Sequence, residues 1–175
     1  EAKEDDLKLP ISLVLTSNRD NIVAGEIVDK IKISRFLPGV SIYSPLLNYL
    51  EKDAGYKKGD LDNPTIGGDK DTYYIFTYDW RRGNSESAQL LIKKIERLKA
   101  KLRKPNLKFD ILAHSMGGLI ARYAAMYGLA DLNDNPKPTW SGAKHFSKII
   151  TIGTPNEGAM NSLEAFYYGY TIDTL

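Results

Sequence analysis

Apolar residues recur at helical spacing over residues 85–103, where Ala88, Leu91, Ile92, Ile95, Leu98 and Leu102 fall on one face. Lysine and arginine fill the other face and the last turn, which suits a helix C-terminus, and Pro105 closes the pattern. The spacing predicts a helix there. A short apolar run at 109–113 then reads as a strand. Residues 116–127 are apolar on nearly every side, so a buried helix is expected. Residues 146–152 read as another strand, and a last helix is expected from about Asn161.

Upstream the pattern is shorter-ranged. Residues 72–77 are aromatic and β-branched and predict a buried strand. Ser44-Pro45 suits a helix start, with serine as the cap and proline at the first helical position. Leu46, Leu47, Tyr49 and Leu50 give that helix its apolar face, and Gly55 its stop. Residues 57–71 read as a polar loop and 131–142 as a loop with two prolines. Residues 9–15 suggest a strand, and 18–25 a turn-rich stretch. Residues 27–36 suggest a half-exposed edge strand, because Lys32, Ser34 and Arg35 interrupt its apolar positions. The charged residues 1–8 suggest a frayed end.

Strand, helix, strand, helix, strand in that order predicts an α/β fold. The expected architecture is three layers, αβα, around a mostly parallel sheet. The organisation expected is an N-terminal segment of strands and connection, 1–36, leading into the main unit, 37–175. In such sheets the chemistry gathers at the carboxyl ends of the strands. Three loops leave that edge: 78–83, 113–117 and 153–159.

The middle loop carries the chemistry. Ala113-His114-Ser115-Met116-Gly117 stands between the 109–113 strand and the 116–127 helix. That is the layout of a nucleophile elbow, a tight turn that lifts one hydroxyl above the sheet with a helix N-terminus behind it. Ser115 is therefore the candidate nucleophile. Met116, next in the chain, offers its backbone N–H as an oxyanion-hole donor. Small residues are expected on both sides of the turn, and Ala113 and Gly117 supply them.

Composition narrows the classes. Formal net charge is +2 with acids and bases interspersed, so no basic stripe points to nucleic acid. The chain has no cysteine, which excludes disulfides, zinc–thiolate sites and thiol nucleophiles. No metal site and no cofactor is expected. The near-apolar run 111–130 contains His114, Arg122 and three glycines, which fits a buried strand and helix better than a membrane span.

The three loops together resemble the lipase branch of the α/β-hydrolases, most closely the lecithin:cholesterol acyltransferase-like group. Tyr78-Asp79-Trp80-Arg81 resembles that group's Tyr-Asp-Trp-Arg motif, and Ala113-His114-Ser115-Met116-Gly117-Gly118 its elbow. Gly153-Thr154-Pro155-Asn156-Glu157-Gly158-Ala159 resembles the loop after the following strand. The likeness covers 37–159. It implies a partial α/β-hydrolase fold and a serine lipase or acyltransferase working on lipid esters through an acyl-enzyme, with peripheral membrane contact. It also implies a Ser, acid, His order in which acid and histidine lie well beyond the elbow. The expectation is thus the nucleophile half of a larger hydrolase, inactive alone, whose partner is the missing C-terminal part of the same protein. The group's first oxyanion loop is not evident; Leu37-Pro38-Gly39 follows too polar a stretch to supply it.

Other residues take smaller roles. Asp79 and Arg81 sit at the chemical edge, where they either shape an acyl pocket or form an ion-paired corner that fixes their loop. Trp80 is expected in the core. Glu157 reads as an exposed loop residue, with the triad acid as the minor alternative. His114 reads as a packing residue, since neighbours along a strand point to opposite faces. His145 precedes its strand and belongs at the wrong edge for catalysis. The competing function is a non-catalytic α/β-hydrolase-like domain that binds lipid or a partner.

Overall fold

A computed structural model describes residues 23–27, 30–31, 40–64, 71–132 and 136–168. The strand expected at 9–15 and the 37–39 segment lie outside these residues. Among the described residues three strand pairs are present. β1 (Lys30–Ile31) and β2 (Val40–Ser41) are antiparallel. β3 (Lys57–Lys58) and β4 (Thr72–Tyr73) are parallel. β5 (Phe109–His114) and β6 (Phe146–Ile152) are parallel and form the longest ladder. The helices are α1 (Ser44–Lys52), α2 (Asn84–Lys101), α3 (Met116–Tyr127) and α4 (Met160–Tyr168). This is the α/β class.

The core lies where α2 and α3 meet one face of the β5–β6 pair. Ala88, Leu91, Ile92 and Ile95 of α2 pack with Ile120, Ala124 and Ala125 of α3 and with Phe146. Phe109 and Ile111 of β5 and Ile149 of β6 close the cluster from the sheet. The small residues of α3 let its backbone approach closely. A Cβ added at Gly142 would stand 1.8 Å from the carbonyl oxygen of Ala124. The second face of the pair carries Leu112, Ile150 and Ile152, exposed by 46%, 51% and 46%. Among the described residues no helix is long and apolar enough to cross a membrane.

Three local expectations change. Tyr43, not Ser44, holds the N-cap position of α1, with no side-chain cap bond; Ser44 is already helical and Pro45 stands in the first turn. Serine suits a cap, but Tyr43 is held at the helix start by its phenol, which reaches His114. Of the strand expected at 72–77, only Thr72 and Tyr73 join a ladder. Aromatic and β-branched residues favour extended chain, yet a strand also needs a paired neighbour, which propensity cannot supply. Residues 76 and 78 still pack as expected, their rings stacked with centroids 5.9 Å apart against the core. The loop expected at 57–71 contains β3, formed by backbone bonds from Lys57 N to Asp71 O (2.7 Å) and Gly59 N to Tyr73 O (2.8 Å). Two exposed lysines give no sequence sign of it.

Candidate active site

β5 and β6 run parallel with His114 opposite Ile152, so the residues that follow both strands emerge at one edge. Ser115 follows β5 directly and precedes the first residue of α3. Its backbone has φ 51° and ψ −127°, a region that a residue with a Cβ rarely enters. Such conformations cost about 1–3 kcal/mol and persist only when the surroundings over-determine them. Here the surroundings do. Ser115 N donates to Ile152 O at 2.8 Å, which continues the β5–β6 ladder through the turn. On the other side its carbonyl accepts from Gly118 N at 3.0 Å and from the Thr154 hydroxyl at 2.9 Å. Held at both ends, the serine side chain is left exposed at the edge.

The crowding falls on Gly118 rather than Gly117. A Cβ at Gly118 would lie 2.0 Å from Thr154 Oγ1 and 2.7 Å from its Cγ2. At Gly117 it would meet only the Tyr78 hydroxyl at 3.8 Å and Ala113 Cβ at 3.9 Å, ordinary contacts. Ala113 is buried as expected, at 6% exposure. Met116 begins α3, and the first N–H groups of a helix have no intrahelical acceptor.

The third loop is tied a second time, to the helix after Ser115. Arg122 of α3 donates to Asn156 Oδ1 at 2.8 Å. With the Thr154 bond, this draws 153–159 against the Ser115 turn. Glu157 is exposed, as expected.

The first loop forms a corner of its own. Arg81 makes a two-pronged bond to Asp79, Nε to Oδ1 at 2.9 Å and Nη2 to Oδ2 at 2.7 Å. Arg81 N also donates to Asp79 Oδ1 at 3.0 Å, and Arg82 Nε stands 3.5 Å from Oδ2. Both partners of the main pair are largely buried, at 5% and 14% side-chain exposure. The Arg81 hydrogen bonds hold the Asp79 carboxyl below its ordinary range, against the opposing effect of burial. Asp79 is thus engaged with the two arginines and not with Ser115. Trp80 corrects its expectation. It is 65% exposed, because the Asp79–Arg81 bonds turn the chain sharply between them and leave the indole outside.

Tyr43 is a residue that sequence reasoning missed. Its hydroxyl lies 3.0 Å from His114 Nδ1, with the rings edge to face. Nothing in a helix start announces a contact 71 residues away. The phenol of neighbouring Tyr78 is pushed up by burial and by Tyr43. His145 ends a 3-10 turn, Ala143–His145, that leads into β6, so it stands at the amino edge. β6 spans on the order of 20 Å at about 3.3 Å per residue, and that length separates His145 from Ser115.

The sequence profile of the lecithin:cholesterol acyltransferase family matches residues 24–175, a span that contains all three loops. The chain belongs to the lecithin:cholesterol acyltransferase family. No curated protein and no solved structure matches it. Membership carries acyltransferase- or lipase-type chemistry on lipids. Within this family member the described residues bring the Ser115 turn and the third loop into direct contact. The Tyr78 hydroxyl of the Tyr-Asp-Trp-Arg loop stands 3.8 Å from where a Cβ on Gly117 would lie. No group of three or more acidic, histidine or cysteine side chains among the described residues is placed to hold a metal ion.

Proposed function

We propose that Ser115 is the nucleophile of a lipase or O-acyltransferase that works through an acyl-enzyme. The Ser115 Oγ attacks the acyl carbonyl of a lipid ester. The negative charge that develops on the carbonyl oxygen faces the Met116 N–H, and the alcohol then departs. Water or an acceptor alcohol takes the acyl group in the second half. This chemistry calls for no cofactor.

The observation that carries the reading is the left-handed backbone of Ser115 between a parallel strand and a helix start. Maintaining it costs free energy, and projecting a hydroxyl is what it achieves. Asp79 and Arg81 act by bracing the wall of the acyl pocket rather than by touching the reacting atoms. Trp80, exposed on that loop, and Met160, 77% exposed just after the third loop, offer apolar contact to a lipid surface.

The general base comes from outside these residues. The chain has two histidines. His145 is at the far edge, and His114 projects away from its neighbour with Nδ1 already bonded to Tyr43. Residues 1–175 alone should therefore be close to inactive. A fluorophosphonate probe applied to the intact protein should label Ser115. Labelling undiminished in Ser115→Ala would remove the assignment. An intact protein that the probe never labels would favour the non-catalytic lipid-binding reading.

A further inference from the structure

The opposite end of the sheet carries a cluster that acyl chemistry does not use. Glu96 and Lys99 of α2 meet Lys144 and His145 of the 3-10 turn, and Pro105, Asn106 and Lys108 from the α2–β5 connection complete the wall. Together they line a cavity of about 580 Å³. Two of its basic groups are buried. His145 is 3% exposed and Lys99 8%.

Lys99 Nζ lies 3.4 Å from His145 Nδ1. Two basic nitrogens this close are compatible when the ammonium donates and the imidazole accepts, which leaves the ring neutral with its proton on Nε2. That Nε2 has no hydrogen-bond partner. Its nearest acceptor, Glu96 Oε1, stands at 3.4 Å, longer than an effective N–H···O bond. A buried donor without an acceptor carries a desolvation cost that nothing repays. Among the described residues neither Lys108 nor Lys144 makes an ion pair. The wall therefore presents three lysines and an imidazole N–H against one carboxylate.

We propose that this cavity binds a phosphate-bearing anion of small-molecule size. A phosphomonoester offers three terminal oxygens and up to two negative charges, which matches both the several converging donors and the excess of lysine over glutamate. A carboxylate offers only two oxygens in one plane and a single charge. The volume falls within the roughly 300–1,000 Å³ typical of small-ligand sites, so the phosphoryl group has room for a substituent. Burial, with Lys144 and Lys108 nearby, lowers the Lys99 ammonium; burial, Lys99 and Lys144 lower the His145 imidazole, while Glu96 opposes both. A bound anion acts against these effects, so His145 should take up its proton at higher pH when the site is filled. The length of the β6 strand separates this site from Ser115.

The test is titration of the intact protein with inorganic phosphate, following the His145 ring by NMR against chloride at matched ionic strength. A saturable shift is expected, with the imidazole titration moved upward. In Lys108→Gln/Lys144→Gln the apparent affinity should fall about tenfold or more, since losing even one charged hydrogen bond is worth about a factor of ten. Both positions are exposed, so an unchanged thermal midpoint checks that the fold survives. A parallel arm measures co-sedimentation with phosphatidic acid and phosphatidylcholine vesicles. Retention on phosphatidic acid that the double variant loses assigns the phosphate to a lipid headgroup. A response to free phosphate without vesicle retention assigns it to a soluble phosphomonoester. No saturable phosphate response, with vesicle binding absent or equal in the double variant, overturns the proposal.

Discussion

The hydroxyl of Thr154 donates to the backbone carbonyl of Ser115 at 2.9 Å, while its side chain fills the space that a Cβ on Gly118 would need. The loop after β6 thus acts as a clamp on the Ser115 turn. Gly118→Ala should push Thr154 away and cost roughly 1–3 kcal/mol, as overpacking does. Gly117→Ala, which meets only ordinary contacts, should change stability by no more than about 1 kcal/mol. Chemical denaturation of both variants checks the contrast. Adding Thr154→Ala should recover part of the Gly118→Ala loss, and strict additivity of the two would contradict the clamp.

The Asp79–Arg81 corner makes a claim about acid stability. The folded carboxyl is lowered, chiefly by the Arg81 hydrogen bonds. Its contribution is therefore complete above the unfolded carboxyl value of about 3.9 and is lost as pH falls through the folded value. Asp79→Asn removes that titration. Urea unfolding from pH 7 down to pH 3 should show a flatter acid limb for the variant, with a deficit at neutral pH of about 3 kcal/mol because Arg81 is left buried without its anion. Parallel curves would mean that the pair does not couple to folding.

Much of this architecture is legible in the chain because its core elements announce themselves locally. The α2 stripe from Ala88 to Leu98, the apolar run of β5 and the all-round apolar α3 each satisfy a period or a length. The strand–Ser115–helix order could be read because its parts are contiguous. What could not be read depends on residues far apart in sequence. The Tyr43–His114 bond spans 71 positions and the Thr154–Ser115 bond 39. Trp80 failed for a related reason. Its hydrophobicity suggests burial, but the Asp79–Arg81 bonds around it decide which way it faces.

His145 gives a second pH signature. Burial first, then Lys99, lowers its imidazole below the ordinary value. A lowered folded value means that the contribution is present above the unfolded value of about 6.5 and is lost as pH falls below it. In phosphate-free buffer the His145 ring should titrate below about 6.5 by NMR, and stability should decline over that range. A midpoint above 6.5 would show that the ring is charged and paired, contrary to the Lys99–His145 geometry.

Trapping the acyl-enzyme tests the role of Ser115 most directly. The intact protein is mixed with a chromogenic fatty-acyl ester, quenched in acid during turnover and mapped by peptide mass spectrometry. One acyl group should appear on the peptide bearing Ser115, and Ser115→Ala should show neither the adduct nor turnover. Acylation of a different residue, or turnover that survives Ser115→Ala, would contradict the account.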